Sequence, residues 1–134
     1  MIVVDATVVP FLFLEGELTE VVRELHALDS GWVTPPILNH EILHLLARLG
    51  VTEGNEPMER LWREIRGVLS ANQQVPDPVR SLRLGIEYGL SGYEAQYLCL
   101  AESLDLPLIS EDPVLRGRFR GRVFGVEEYL GLKS

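Results

Sequence analysis

Met1-Ile2-Val3-Val4-Asp5 is continuously apolar, β-branched at three successive positions and closed by an acid. A short run that is apolar on both faces suits a strand buried within a parallel sheet, where helices cover each side. Related runs recur at Trp32-Val33-Thr34, at Leu108-Ile109-Ser110 and at Val123-Phe124-Gly125-Val126. Between them the apolar residues change to helical spacing. A helix is expected from Ala6 towards Leu14, and Leu18, Val21, Val22, Leu25 and Leu28 continue the pattern until Asp29-Ser30-Gly31 stops it. Pro35 and Pro36 suit the first turn of the next helix. Its stripe runs through Ile37, Leu38, Ile42, Leu45, Leu46 and Leu49, and Gly50 is expected to end it. Thr52 to Pro57 reads as a linker to a helix carrying Leu61, Ile65, Val68 and Leu69. Asp77-Pro78 caps a helix towards Tyr88, Gly89 to Gly92 breaks it, and a further helix runs from Tyr93 to Leu104. A short helix ends the chain. Helices alternating with short apolar strands predict an α/β fold with a mainly parallel central sheet.

At 134 residues, 46% of them hydrophobic, the chain is long enough to bury a core without disulfides, and residues 1–134 read as a single domain. Cys99 is the sole cysteine and lies in an apolar helical pattern, so a buried thiol in a reducing cytoplasm is expected. Asp5 interrupts the apolar start, no basic segment precedes it, and no apolar run approaches the roughly 18 residues of a membrane span, so a soluble, unexported protein is expected. The formal charge of −8 argues against broad phosphate binding over the whole surface. A nuclease that concentrates acids around cations remains compatible with it. Lys133 is the only lysine; arginines cluster at Arg60, Arg63 and Arg66, and again at Arg116, Arg118, Arg120 and Arg122. The second cluster is a candidate RNA track, and equally a solvated edge or a docking surface for an acidic partner.

Four acids carry the chemistry. Asp5 and Asp112 fall at or just past the carboxyl ends of two predicted strands, the edge at which open α/β sheets form ligand crevices. Each also precedes a helical segment, where aspartate serves as an N-cap. Glu41 lies four residues after Ile37 and four before Leu45, which puts a carboxylate in an apolar stripe. Glu94 repeats the anomaly, with Leu98 and Ala101 following on the same face. An unpaired buried carboxylate is costly, so pairing with arginine at the margin of each stripe is the alternative. If the four converge to about 5 Å, each ionised pair repels by roughly 3 kcal/mol at an effective dielectric of about 20. Such a cluster requires a cation or bound protons. Oxygen donors without a histidine or cysteine set point to Mg²⁺ or Mn²⁺ rather than structural zinc.

These segments resemble the PIN-domain ribonucleases. Val3-Val4-Asp5-Ala6-Thr7-Val8-Val9 is similar to the family's opening motif, and the run from Leu38 to Leu46 is similar to its central acidic helix. The run from Leu90 to Glu102 resembles the third motif, and Pro107-Leu108-Ile109-Ser110-Glu111-Asp112 the fourth. The resemblance covers nearly the whole chain in order, and size and layout are most similar to VapC-type toxins of toxin-antitoxin pairs. It implies a three-layer α/β/α fold and metal-dependent hydrolysis of RNA phosphodiester bonds. Asp5, Glu41, Glu94 and Asp112 would be the catalytic, metal-holding acids, with Thr7 and Ser110 supporting them. One or two Mg²⁺ or Mn²⁺ ions would orient a water, lower its pKa and stabilise charge on the phosphate. A cognate antitoxin and a homodimer are the implied partners. The family usually has aspartate where this chain has Glu94.

Two other readings compete. His40-Glu41-Ile42-Leu43-His44 is an HExxH string, whose histidines at i and i+4 bind zinc in metallopeptidases while the glutamate acts as general base. Ala47 and Gly50 stand where the longer metzincin pattern needs glycine and a third histidine, leaving Glu59 or Glu64 as candidate third ligands. That reading gives Asp5, Glu94 and Asp112 no role. The other is a PIN-like module that binds a partner without catalysis, for which Glu94 leaves room.

Overall fold

The structure is a computed structural model and describes residues 1–133. Strands β1 (Ile2–Val4), β2 (Trp32–Val33), β3 (Leu108–Ile109) and β4 (Val123–Phe124) form one parallel sheet in the order β2-β1-β3-β4. Among the described residues seven α-helices complete three layers: α1 (Thr19–Leu28), α2 (Ile37–Glu53), α3 (Asn55–Leu69), α4 (Pro78–Tyr88), α5 (Gly92–Leu104), α6 (Pro113–Arg118) and α7 (Val126–Lys133). The α5 helix lies against β1 and β3 and carries α4, α1 packs with α7, and α2 and α3 form a hairpin. No helix among the described residues is long and apolar enough to cross a membrane.

Burial, more than strand propensity, explains strands this short. Ile2, Val3, Val4, Leu108 and Ile109 are wholly enclosed. Each such side chain contributes roughly 1.5–3 kcal/mol relative to exposure. The spread of strand propensity across residue types is only about 1 kcal/mol. These strands join Leu25, Leu38, Ile42, Ile65, Leu100 and Tyr129 in one continuous core, while Leu84, Ala95, Leu98 and Cys99 form a smaller one between α4 and α5. Cys99 is buried and unpaired, as its apolar setting predicts.

Several boundaries differ from the sequence reading. The segment from Ala6 to Leu14 is a tight turn followed by a 3-10 turn at Val9–Leu12, and α1 begins only at Thr19. The amides of Val8 and Val9 both return to the Asp5 carbonyl, which folds the chain back immediately after β1. Val126, expected in the last strand, instead opens α7. The α2 helix continues through Gly50 to Glu53, so the expected linker from Thr52 to Pro57 contracts to Gly54. Gly50 faces α3, where a Cβ would stand 3.4 Å from Met58 Cγ, an ordinary contact distance.

Gly54 is the joint of the hairpin. Its φ of 90° and ψ of 167° lie in a region open essentially to glycine alone, and a Cβ at this position would meet nothing within 4 Å. Gly54→Ala is therefore expected to cost roughly 1–3 kcal/mol through the backbone alone. Urea denaturation should show a lower midpoint with an unchanged slope.

Candidate active site

The strand order puts the site where it is. The chain leaves β1 for β2 on one side and then crosses to β3 on the other, so β1 and β3 are neighbours whose connections diverge at their carboxyl ends. Crevices in open α/β sheets form at such switch points. Val4 pairs with Ile109, and the Asp5 amide donates to the Ile109 carbonyl at 3.3 Å, which aligns Asp5 with the residues that follow β3.

Asp5 is 6% exposed, and Ser110 is wholly buried. The Thr7 amide donates to Asp5 Oδ1 at 2.9 Å, and the Thr7 hydroxyl donates to the same oxygen. That hydroxyl also accepts from the Glu111 amide at 2.8 Å and lies 3.5 Å from Ser110 Oγ. Ser110 Oγ in turn accepts from the Asp112 amide at 3.1 Å. Thr7 and Ser110 thus tie the two strand ends together directly beneath the acids. Burial pushes the Asp5 carboxyl above its ordinary range; the hydroxyls of Ser110 and Thr7 pull the other way, and the charge of Asp112 adds to the rise.

Asp112 also serves as the helix cap that its sequence position suggests, its Oδ1 accepting from the amides of Val114 at 2.9 Å and Leu115 at 3.4 Å at the start of α6. The neighbouring Glu111 accepts from the Val126 amide at 2.8 Å and so anchors the loop after β3 to the first turn of α7.

Glu41 comes from α2. Its Oε1 accepts from the Tyr97 hydroxyl of α5 at 2.7 Å. Burial raises the Glu41 carboxyl, the Tyr97 hydrogen bond lowers it, and the charge of Asp5 raises it again, the net direction being up. Burial, followed by the Glu41 charge, raises Tyr97, so its phenol stays protonated and remains a donor to Glu41. Upstream on the same helix, Asn39 exchanges hydrogen bonds with Gln73, while Arg66 of α3 donates to both Asn39 Oδ1 at 3.1 Å and Gln73 Oε1 at 2.9 Å. This network fixes the amino-terminal half of α2, the part that presents Glu41.

Glu94 has a different local role. Its Oε1 accepts from the Ser91 amide at 3.0 Å while its own amide donates to Ser91 Oγ at 3.1 Å, a capping box at the start of α5. The charges of Asp112 on Asp5 and of Asp5 on Glu41 raise those carboxyls, whereas the contacts of Glu94 are those of the cap. Tyr97 is the residue that sequence reasoning missed. A tyrosine on a buried face needs a partner for its hydroxyl, and that requirement was the available signal.

Among the described residues, no three histidine, cysteine, aspartate or glutamate side chains are grouped so as to hold one ion. Catalytic zinc requires three protein ligands, so the HExxH string lacks its third, Glu59 and Glu64 included. Mg²⁺ has a looser requirement: it keeps several waters and takes one or two carboxylates together with substrate phosphate oxygens. Asp5 and Asp112, at the adjoining ends of β1 and β3, are oxygen donors of the kind and number that this demand takes.

The arginines between 116 and 122 do not form a uniform strip. Arg122 pairs with Asp105 at 3.1 Å and donates to the Leu106 carbonyl at 3.0 Å. Arg118 lies over the rings of Tyr88 and Phe119 at 5.9 and 5.6 Å. The Arg116 guanidinium covers Gly125, where a Cβ would come within 2.7 Å of it. Arg116 and Arg120 border one cleft, with Glu128 on its wall.

No protein-family model matches the chain, and no curated protein matches it. Solved structures do. A protein from Pyrobaculum aerophilum, PAE2754, superposes with a TM-score of 0.72 at 23% identity, over 97% of this chain and 93% of that one. A chain of a toxin-antitoxin complex from Klebsiella pneumoniae superposes with a TM-score of 0.68 at 18% identity, over 94% of this chain and 98% of that one. The fold is shared with both. At these identities the likeness speaks for the fold alone.

Proposed function

We propose that the chain is a Mg²⁺- or Mn²⁺-dependent endoribonuclease, acting in the cytoplasm as the toxin of a toxin-antitoxin pair. What supports this reading is the parallel pairing of β1 with β3, which sets Asp5 and Asp112 just past adjoining strand ends that Thr7 and Ser110 tie together. A carboxylate that burial and a like charge both disfavour is poised to be relieved by a cation. Asp5, Glu41 and Asp112 would hold the metal, Glu94 would complete the acidic set from the start of α5, and Thr7 and Ser110 would orient Asp5. Bound there, the ion supplies Lewis-acid stabilisation of the phosphate and a water of lowered pKa. The protein's own part is to hold these oxygens rigidly: Tyr97 orients Glu41, and the Thr7–Ser110 pair locks the strand ends.

The toxin assignment draws on the fold shared with a chain of a toxin-antitoxin complex together with the resemblance of the four sequence segments. A cognate antitoxin and a homodimer belong to the same proposal. RNA would be guided to the acids by Arg116 and Arg120, with Arg118 and Arg122 holding that surface in place.

Incubation of purified protein with a broad RNA pool is expected to give cleavage in Mg²⁺ or Mn²⁺ and none in excess EDTA. Equal cleavage with and without the chelator would refute the metal-dependent reading. One tightly held zinc per chain, lost in His40→Ala, would restore the metallopeptidase alternative.

A further inference from the structure

A cleft of about 530 Å³ opens beside Glu41, lined by Ala6, Ile37, His40, His44 and Tyr93 as well as by Glu41 itself. We propose that it is a nucleobase subsite in which Tyr93 stacks on a base of the RNA, an inference that rests on the ribonuclease reading above. Tyr93 is 57% exposed at the edge of the cleft and has no ring or hydrogen-bond partner among the described residues. An aromatic face in that position offers a base a stacking surface, which any base can use.

Charge favours this occupant. A protein of net charge −8, with its acids concentrated at the reaction centre, gains little from the electrostatic attraction that usually dominates nucleic-acid binding. Stacking and apolar contact do not depend on that attraction. Ala6 and Ile37 make the cleft apolar, while His40 and His44 offer ring nitrogens to the edge of a base. Glu41 borders this cleft, so a base seated there lies beside one of the proposed site acids. The subsite also gives the HExxH histidines a role: they flank Glu41 on the cleft wall rather than bind zinc.

The test uses a short single-stranded RNA that the wild-type protein cuts at one bond, and the same RNA with an abasic nucleotide at each position flanking the cut in turn. Tyr93→Ala is expected to lower kcat/KM about tenfold, within the range of losses when a base-stacking aromatic is removed, and Tyr93→Phe to keep it. One abasic position should cost the wild type a similar factor and cost Tyr93→Ala nothing further, since both changes remove one contact. Circular dichroism melting should not distinguish Tyr93→Ala from wild type. Unchanged kcat/KM in Tyr93→Ala, or an abasic loss that is the same in both proteins, would overturn the subsite alone. A wild-type protein that cuts no RNA in Mg²⁺ or Mn²⁺ would overturn the ribonuclease reading and the subsite with it.

Discussion

Asp5→Asn is expected to reduce RNA cleavage on the order of a thousandfold, the upper scale of losses when one preorganised charge is removed from a reaction centre. The same substitution should make the metal-free protein more stable. Asp5 is buried, and its carboxyl is raised by that burial and by the Asp112 charge. A carboxyl raised in the folded state binds its proton more tightly there than in the unfolded chain. Its contribution to stability is therefore fully present below the ordinary value of 3.8 and is lost as pH rises through the raised folded value. Once ionised, the buried Asp5 is a net cost to the metal-free fold, and asparagine removes it while keeping an oxygen to accept from Thr7. Thermal melts in EDTA should give a higher midpoint for Asp5→Asn and a weaker dependence on pH above 3.8.

Divalent ion should reverse that order. A ligand held at 100 times its dissociation constant stabilises the folded state by about 2.7 kcal/mol, and only the wild type retains the charge to bind it. Asp112→Asn should likewise lose activity, with less gain in stability because its carboxylate also caps α6. An Asp5→Asn protein that cleaves RNA at the wild-type rate would remove Asp5 from the chemistry. One that loses activity by unfolding would melt lower, the opposite of the expected shift.

The parts of the site that were legible in sequence are those with a local signature. Apolar runs ending on Asp5 and just before Glu111 and Asp112 marked the strand ends, and the parallel pairing of β1 with β3 then brought them together. Glu41 was visible as an acid within an apolar stripe. Its partner was not: Tyr97 is 56 residues away, and on a helix as apolar as α5 it reads as core. The helix expected from Ala6 failed for a related reason. Val8, Val9 and Pro10 are buried, as an apolar pattern requires, but the two valine amides return to Asp5, and spacing alone does not distinguish that turn from a helix. Gly50 misled because the helix continues through it to Glu53, and the glycine that ends α2 is Gly54, whose positive φ marks the turn.

Glu94 is where local and distant signals conflict, and its two roles make opposite demands on substitution. Ser91 and Glu94 have the spacing of a capping box, a signature fully present in the sequence, and the structure forms it. Glutamine at the third helical position preserves such a box while removing the charge; aspartate preserves the charge but lacks the reach. As the fourth acid of the site, Glu94 should tolerate aspartate better than glutamine. Glu94→Gln is accordingly expected to keep the wild-type melting temperature and to lose about a hundredfold in kcat/KM, as when a group supporting a metal site is removed. Glu94→Asp should retain most activity at low temperature and lose about 1 kcal/mol of stability with its cap, near 4 °C for a chain of this size. If glutamine leaves kcat/KM unchanged and aspartate alone lowers the melting temperature, Glu94 is a cap and the metal is held by Asp5, Glu41 and Asp112. One carboxylate has an oxygen for each role, since Oε1 is committed to Ser91 and Oε2 carries no such bond, and the glutamine variant tests whether the charge on the pair reaches the metal.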